Sequence, residues 1–180
     1  MSIPIYGVII IMYGYDGTGM YDFSRIDIRF IDSDEWEDAM TLVYRTFTRY
    51  DASMFDKEGI DHFRNFISDS FLKRMFEAGE YQVVGAYYYN RIVGVISLRN
   101  SCHISLLFVD GEFHRQGIGR RLVLTMADYA RIKLHQDELT VNAAPYATDF
   151  YHSMGFTDTG TETSDHGIVF TPMRYVLQDK

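Results

Sequence analysis

CHISLLFVDGEFHRQGIGRRLVLTMADYARIKL, residues 102–134, is the stretch from which the fold can be argued outward. Residues 102–109 are apolar and rich in β-branched and aromatic side chains, which suits a short buried strand. From about Gly117 onward Ile118, Leu122, Met126, Ala130 and Leu134 recur every fourth position, and Val123 and Ala127 widen the stripe into an amphipathic helix face. Between strand and helix lies Arg115-Gln116-Gly117-Ile118-Gly119-Arg120. Its two glycines let backbone approach a ligand closely, and a helix start offers free N–H groups and the positive end of a dipole. A strand, a glycine-rich loop and a helix in that order make a cradle for a phosphate.

The rest of the chain bounds the possibilities. At 180 residues it is long enough for one domain with a sizeable core. An apolar content of 47% with 3 prolines describes a globular protein, not a disordered one. The 14 tyrosines and 13 phenylalanines point to a core or cleft lined with rings. A net charge of −8 argues against a nucleic-acid partner. The single Cys102 cannot form an internal disulfide, which fits a reducing cytoplasm, and it excludes a cysteine metal cluster. No metal site is expected.

Residues 3–13 (IPIYGVIIIMY) are apolar but too short to span a bilayer, and they lack the basic flank of a signal peptide, so no membrane partner is expected. Residues 14–19 (GYDGTG) read as a turn or link, and Met20 offers an alternative start. Three readings of residues 1–25 stand side by side: an edge strand or docked arm, a leader foreign to the fold, or a partner-binding segment. The preferred one is an arm lying on the domain or on a second copy, as in a homodimer.

In order, residues 26–31 alternate as a first strand, and Asp32-Ser33-Asp34-Glu35 supplies a helix start. Trp36, Met40, Val43 and Phe47 then follow helical spacing to about Arg49. Residues 60–76 suggest one broken helix or two short ones, closed by Ala78-Gly79. Residues 81–89 and 92–98 read as a hairpin turning at Asn90-Arg91. After the central strand and helix, residues 138–142 form a strand reached over a helix, hence parallel to the central one. Pro145 opens a further helix bearing Ala147, Phe150, Tyr151 and Met154, with Gly155 as a left-handed cap. Residues from Phe156, and then 167–177, return as a final hairpin, in which Pro172 marks a bulge or edge. The expected fold is a mixed, mostly antiparallel α/β sheet of six or seven strands flanked by helices, over residues 26–177.

This order of elements resembles the GCN5-related N-acetyltransferase (GNAT) family, most sharply over residues 106–122 and 142–156. The family writes its phosphate loop Q/R-x-x-G-x-G/A, and the corresponding residues here are His114-Arg115-Gln116-Gly117-Ile118-Gly119. Both glycines match, and His114 stands where Gln or Arg is usual. The second motif, Asn142 followed by Phe150-Tyr151-x-x-x-Gly155-Phe156, is a close match. A glycine pair alone is weak, but both motifs in order are specific. The bottom-up reading agrees. A dinucleotide fold wants a third glycine and a later acidic residue, and a P-loop wants Gly-Lys-Ser/Thr where Gly119-Arg120-Arg121 stands.

The resemblance implies that acetyl-CoA is the donor, its pyrophosphate held by the amides of residues 114–120, with Arg115 and Arg120 adding charge unless they are only a solvated helix start. It also implies a bulge that splays the central strand from its neighbour. The pantetheine arm would lie in the gap against the backbone of Leu107, Phe108 and Val109. Asn142 would contact the cofactor or cap the next helix. Tyr151 would protonate the leaving thiolate, against the alternative that it is core. His103, in the strand position where some members carry a catalytic Glu, would be the base, or else a strand-end histidine. Glu112, His114 and His152 are weaker candidates for that base. For the amine acceptor, small molecule or peptide, the rings Tyr44, Tyr50 and Phe55 with Asp51 and Asp56 would suit a cation. The competing functions are a non-catalytic acyl-CoA sensor and a scaffold for some other phosphate ligand.

Overall fold

The computed structural model describes residues 21–50, 52, 55–165 and 167–177. The apolar segment 3–13, the link at 14–19, Met20 and Asp51 lie outside the described residues. The elements are β1 (Ile26–Phe30), α1 (Trp36–Tyr50), α2 (Lys57–Ile67), α3 (Ser70–Glu77), β2 (Gln82–Tyr88), β3 (Arg91–Arg99), β4 (His103–Val109), α4 (Ile118–Lys133), β5 (Glu138–Ala143), α5 (Thr148–Ser153), β6 (Thr157–Asp158), β7 (Thr163–Asp165) and β8 (Ile168–Val176).

The sheet runs β1-β2-β3-β4-β5-β8-β6, with β7 also paired to β8. It is antiparallel throughout except for β4 and β5, which are parallel as a helical crossover requires. Among the described residues the sheet has eight strands, against the expected six or seven, because the return after Gly155 breaks into two short pieces on one partner. Pro172 sits where this break falls. Its neighbours pair with β6 at Met173–Arg174 and with β7 at Ile168–Phe170, so the missing N–H falls between two ladders.

Side-chain alternation puts different helices on the two faces. A side chain at Gly94 would meet Leu122 and Ile118 of α4. On the opposite face, Phe108 of β4 lies 5.8 Å from the Phe63 ring of α2, which stacks at 4.1 Å on Phe47 of α1. The stretch expected as one broken helix or two short ones is two, each started by an aspartate cap, Asp56 on the Gly59 N–H and Asp69 on the Phe71 N–H. At the start of α1 the Glu35 carboxylate accepts the Asp32 N–H at 2.8 Å, as the acidic run there suggested. The β2–β3 turn differs by one residue from the expected Asn90-Arg91. Tyr89 takes the positive φ of 52°, and Arg91 begins β3 in regular pairing with Tyr88.

The described end of the N-terminal segment rests on the domain. Tyr21 packs 4.8 Å from the Phe113 ring and 5.4 Å from Tyr88, and its hydroxyl reaches the Glu112 carboxylate. No helix among the described residues is long and apolar enough to cross a membrane.

Candidate active site

The site begins where the sheet divides. β3 pairs with β4 through Ser97↔Leu106 and then Leu98↔Ile104, which leaves Ser105 as an extra residue, a β-bulge in the central strand. β4 pairs with β5 only at His103↔Thr140 and Ile104↔Val141. Beyond the bulge β4 stays with β3 as far as Val109, while β5 stays with β8 as far as Ala143. The two halves part like a fork, and among the described residues no strand pairs with 106–109 on the β5 side. Leu107 and Phe108 bury their side chains completely, so backbone is what they can offer to a ligand in the gap.

The loop of residues 114–120 lies at the open end of the fork, lining one cleft with Val109 of β4 and Phe150 of α5. Arg115 and Gly117 adopt positive φ of 59° and 73°, and this double turn brings the chain into α4 with no side chain capping the helix start. The helix therefore begins with unpaired N–H groups at an exposed loop. A Cβ at Gly117 would touch nothing within 4 Å. One at Gly119 would meet only Phe150 and Val109, at ordinary contact distances of 3.7 Å or more. The space over both glycines is open.

A cleft of about 320 Å³ lies over this loop, lined by Val109, Phe113, His114, Arg115, Gly117, Ile118, Gly119, Arg120, Phe150, Ser153 and Met154. Gln116 is exposed beside it, whereas Leu107, Phe108 and Asn142 lie deeper in the fork. The irregular letter of the loop has a structural explanation: His114 is buried, and its Nε2 donates to the Val109 carbonyl at 2.7 Å, tying the loop back to the strand end. Asp110, also buried, accepts from Arg45 at 2.7 Å and Arg91 at 2.5 Å and anchors the loop's other end. Sequence reading missed Asp110, whose partners are 65 and 19 residues away. Arg120 extends over Met154, whereas Arg121 is spent on the Ile26 carbonyl, locking α4 to β1.

α5 follows β5 from the other arm of the fork. The N-cap positions of this helix and of the turn at Pro145–Ala147 are both alanines, which supply no side-chain cap. Asn142 instead lies buried in β5 opposite Pro172. Of the neighbouring rings, Phe150 lines the cleft and Tyr151 is fully enclosed, at 0% exposure, between Phe150 and Phe156. The Tyr151 hydroxyl is buried without a hydrogen-bond partner among the described residues. Burial also pushes its pKa well above the usual phenol range. Buried polar groups are nearly always paired, so this hydroxyl is an exception in the core of the domain.

His103 occupies the closed end of the fork, at 9% exposure, with Nδ1 2.9 Å from Thr140 Oγ1. Burial and the nearby Arg99 guanidinium lower its pKa to about 4, so the ring is neutral at pH 7 and a weak base. This sets a pH signature. The folded ring resists protonation and the unfolded ring does not, so stability should fall as pH drops from about 6.5 towards about 4 and then level off. The full loss is on the order of 3 kcal/mol. Urea titrations of wild type and His103→Gln across that window should differ in slope, and equal slopes would show that the ring titrates normally.

The expected acceptor cradle is not assembled. Asp56 is spent capping α2, Phe55 packs 5.6 Å from Phe47, and Tyr44 sits beside Arg64 on the outside of α1. Tyr50 turns towards the loop, 5.5 Å from His114. Glu112 pairs with Arg91, and His152 holds Asp158 at the surface.

The model of the acetyltransferase (GNAT) domain matches residues 51–177. The chain belongs to the GNAT family. No curated protein sequence matches it. Among solved structures, a GCN5-related N-acetyltransferase from Rhodopseudomonas palustris superposes with a TM-score of 0.73 at 19% identity, covering 88% of this chain and 100% of that one. The PaiA N-acetyltransferase of Thermoplasma acidophilum, in complex with coenzyme A, gives 0.70 at 17%, covering 84% and 98%. A spermidine N-acetyltransferase from Vibrio cholerae, in complex with coenzyme A and spermine, gives 0.59 at 13%, covering 86% and 96%. At these identities the likeness is one of GNAT fold.

Proposed function

We propose that this GNAT protein transfers an acetyl group from acetyl-CoA to a primary amine, of a small molecule or a peptide, by direct attack in a ternary complex. The observation that carries the reading is the unpaired Tyr151 hydroxyl, enclosed on α5 where that helix leaves one arm of the fork. The loop amides from His114 to Arg120 bind the pyrophosphate, the pantetheine arm lies along residues 106–109, and Asn142 contacts it from β5. The amine nitrogen attacks the thioester carbon, whose oxygen accepts a β4 backbone N–H. As the carbon–sulfur bond breaks, Tyr151 gives its proton to the thiolate, and the amine proton leaves to water. A phenol with a raised pKa is protonated at pH 7; it yields its proton only to the thiolate that forms beside it, and a proton from water then restores the phenol. His103, neutral and hydrogen-bonded to Thr140, serves the closed end of the fork and carries no proton in this scheme.

Coenzyme A complexes among structures of this fold support the choice of donor. A cytoplasmic setting fits both the donor and the lone Cys102. In a thermal-unfolding assay acetyl-CoA at a hundredfold over its Kd should stabilise the protein by about 2.7 kcal/mol. A panel of amines should then release free thiol. Stabilisation without thiol release from any amine would favour the acyl-CoA sensor, and no stabilisation would remove both readings.

A further inference from the structure

Three hydroxyls meet at the bulge. Tyr81 Oη lies 2.6 Å from Ser97 Oγ and 2.9 Å from Ser105 Oγ, and the two serine oxygens are 3.0 Å apart. All three residues are at most 1% exposed. Each hydroxyl has one proton and can accept, so three protons serve three contacts and the triangle closes on itself. Its members come from three places: the residue before β2, the middle of β3, and the extra residue of β4 itself. Ser97 is the last β3 residue in the register that pairs it with Leu106, and the slip occurs immediately after it. The hydroxyls therefore sit on the step that separates the paired from the parted half of the sheet. Burial raises the Tyr81 pKa to about 12, so the phenol is protonated at neutral pH. The Tyr81 ring is in turn wedged 6.2 Å from Trp36 of α1, which fixes the oxygen's reach.

A bulge can migrate along a strand, because adjacent registers differ little in backbone hydrogen bonding. Apolar side chains at these positions would leave it free to slip by one residue. A slip would turn residues 106–109 over and re-aim their N–H groups within the gap. The closed hydroxyl ring favours one register, since moving Ser105 away would break two of the three hydrogen bonds, leaving only the Tyr81–Ser97 pair and a Ser105 hydroxyl in need of a partner. We propose that Tyr81 and Ser97 are positioning residues which, through Ser105, lock the bulge and thereby aim the β4 backbone at the thioester. This rests on the acetyl-CoA reading for its target, but the lock itself is a property of the sheet.

The test uses Tyr81→Phe, which removes one oxygen and nothing else, with Ser97→Ala and the double variant. Amide hydrogen exchange over residues 106–109 is measured with and without coenzyme A, alongside kcat and KM for acetyl-CoA. Each single variant should speed exchange at residues 106–109 about tenfold and lower kcat about tenfold, with KM changed less than about twofold. The double variant should be no slower than either single one, because one missing hydroxyl already opens the triangle. A lower thermal midpoint with unchanged kcat and unchanged exchange at 106–109 would reduce the triangle to ordinary core and overturn the proposal. Should coenzyme A fail to protect residues 106–109 in the wild type, the donor reading fails instead. The lock is then judged on the unliganded protein, where Tyr81→Phe must still speed exchange at 106–109 more than within β2.

Discussion

Gly117→Asp should abolish coenzyme A binding while leaving the unliganded protein folded and about as stable as wild type. The two halves of this expectation have separate causes. Gly117 holds a φ of 73°, a left-handed conformation that aspartate tolerates better than most side chains. Nothing lies within 4 Å of the added Cβ, so the protein itself has room for it. The new carboxylate would stand at a helix start with no acidic residue in its first turn, where negative charge is favourable by about 0.3–1 kcal/mol. For a pyrophosphate in the same cradle, that carboxylate is a like charge. At a separation of ~4 Å and an effective dielectric of ~20 the repulsion is about 4 kcal/mol, a factor of roughly a thousand in Kd. Calorimetric titration with coenzyme A beside a thermal scan reads both halves. Retained affinity would move the phosphate site away from this loop, and a collapsed midpoint would mean that the loop is structural.

Tyr151→Phe should make the unliganded protein more stable and the enzyme slower. The hydroxyl is buried without a partner, and an unsatisfied buried donor costs about 1–3 kcal/mol, so replacing it by hydrogen should raise the thermal midpoint by a few degrees. The ring contacts with Phe150 and Phe156 survive the change. Removing the proton donor to the thiolate should lower kcat about ten- to a hundredfold, with KM for acetyl-CoA nearly unchanged. A group that costs stability and contributes rate is the mark of a functional site. If stability rises and kcat holds, Tyr151 belongs to the core and the thiolate takes its proton from solvent.

What could be read from the residues was whatever depends on local pattern. The β4–loop–α4 unit announces itself through a four-residue apolar period and two glycines, and Gly155 takes its left-handed cap, with φ of 95°. The parallel pairing of β4 and β5 follows from the helix between them. The rest depends on register and on distant partners. His103 looks the same in the sequence whether it lies at the tip of a fork or below it. The slip at Ser105 decides which, and the Tyr81 and Ser97 hydroxyls that meet Ser105 there come from elsewhere in the chain. Helix geometry says that Phe150 and Tyr151 face different ways but not which one faces the cleft. His114 read as a departure from the loop pattern because its partner, the Val109 carbonyl, is a backbone atom. Asp56 and Phe55, both expected near the acceptor, have local contacts that composition does not reveal.

The forked sheet gives the molecule a liability in an unusual place. Sheets usually have free edges only at their margins, where charges, bulges or short strands keep other chains from pairing with them. Here residues 106–109 and the end of β5 are two further edges facing each other in the middle of the fold. On the proposed function, the amide-bearing arm of the donor lies between them. The gap between these edges offers backbone N–H and C=O groups on both sides, as an extended chain would need. The fork also predicts a weakness in folding: until the bulge is set, β4 and β5 can zip together along their whole length, sealing the gap.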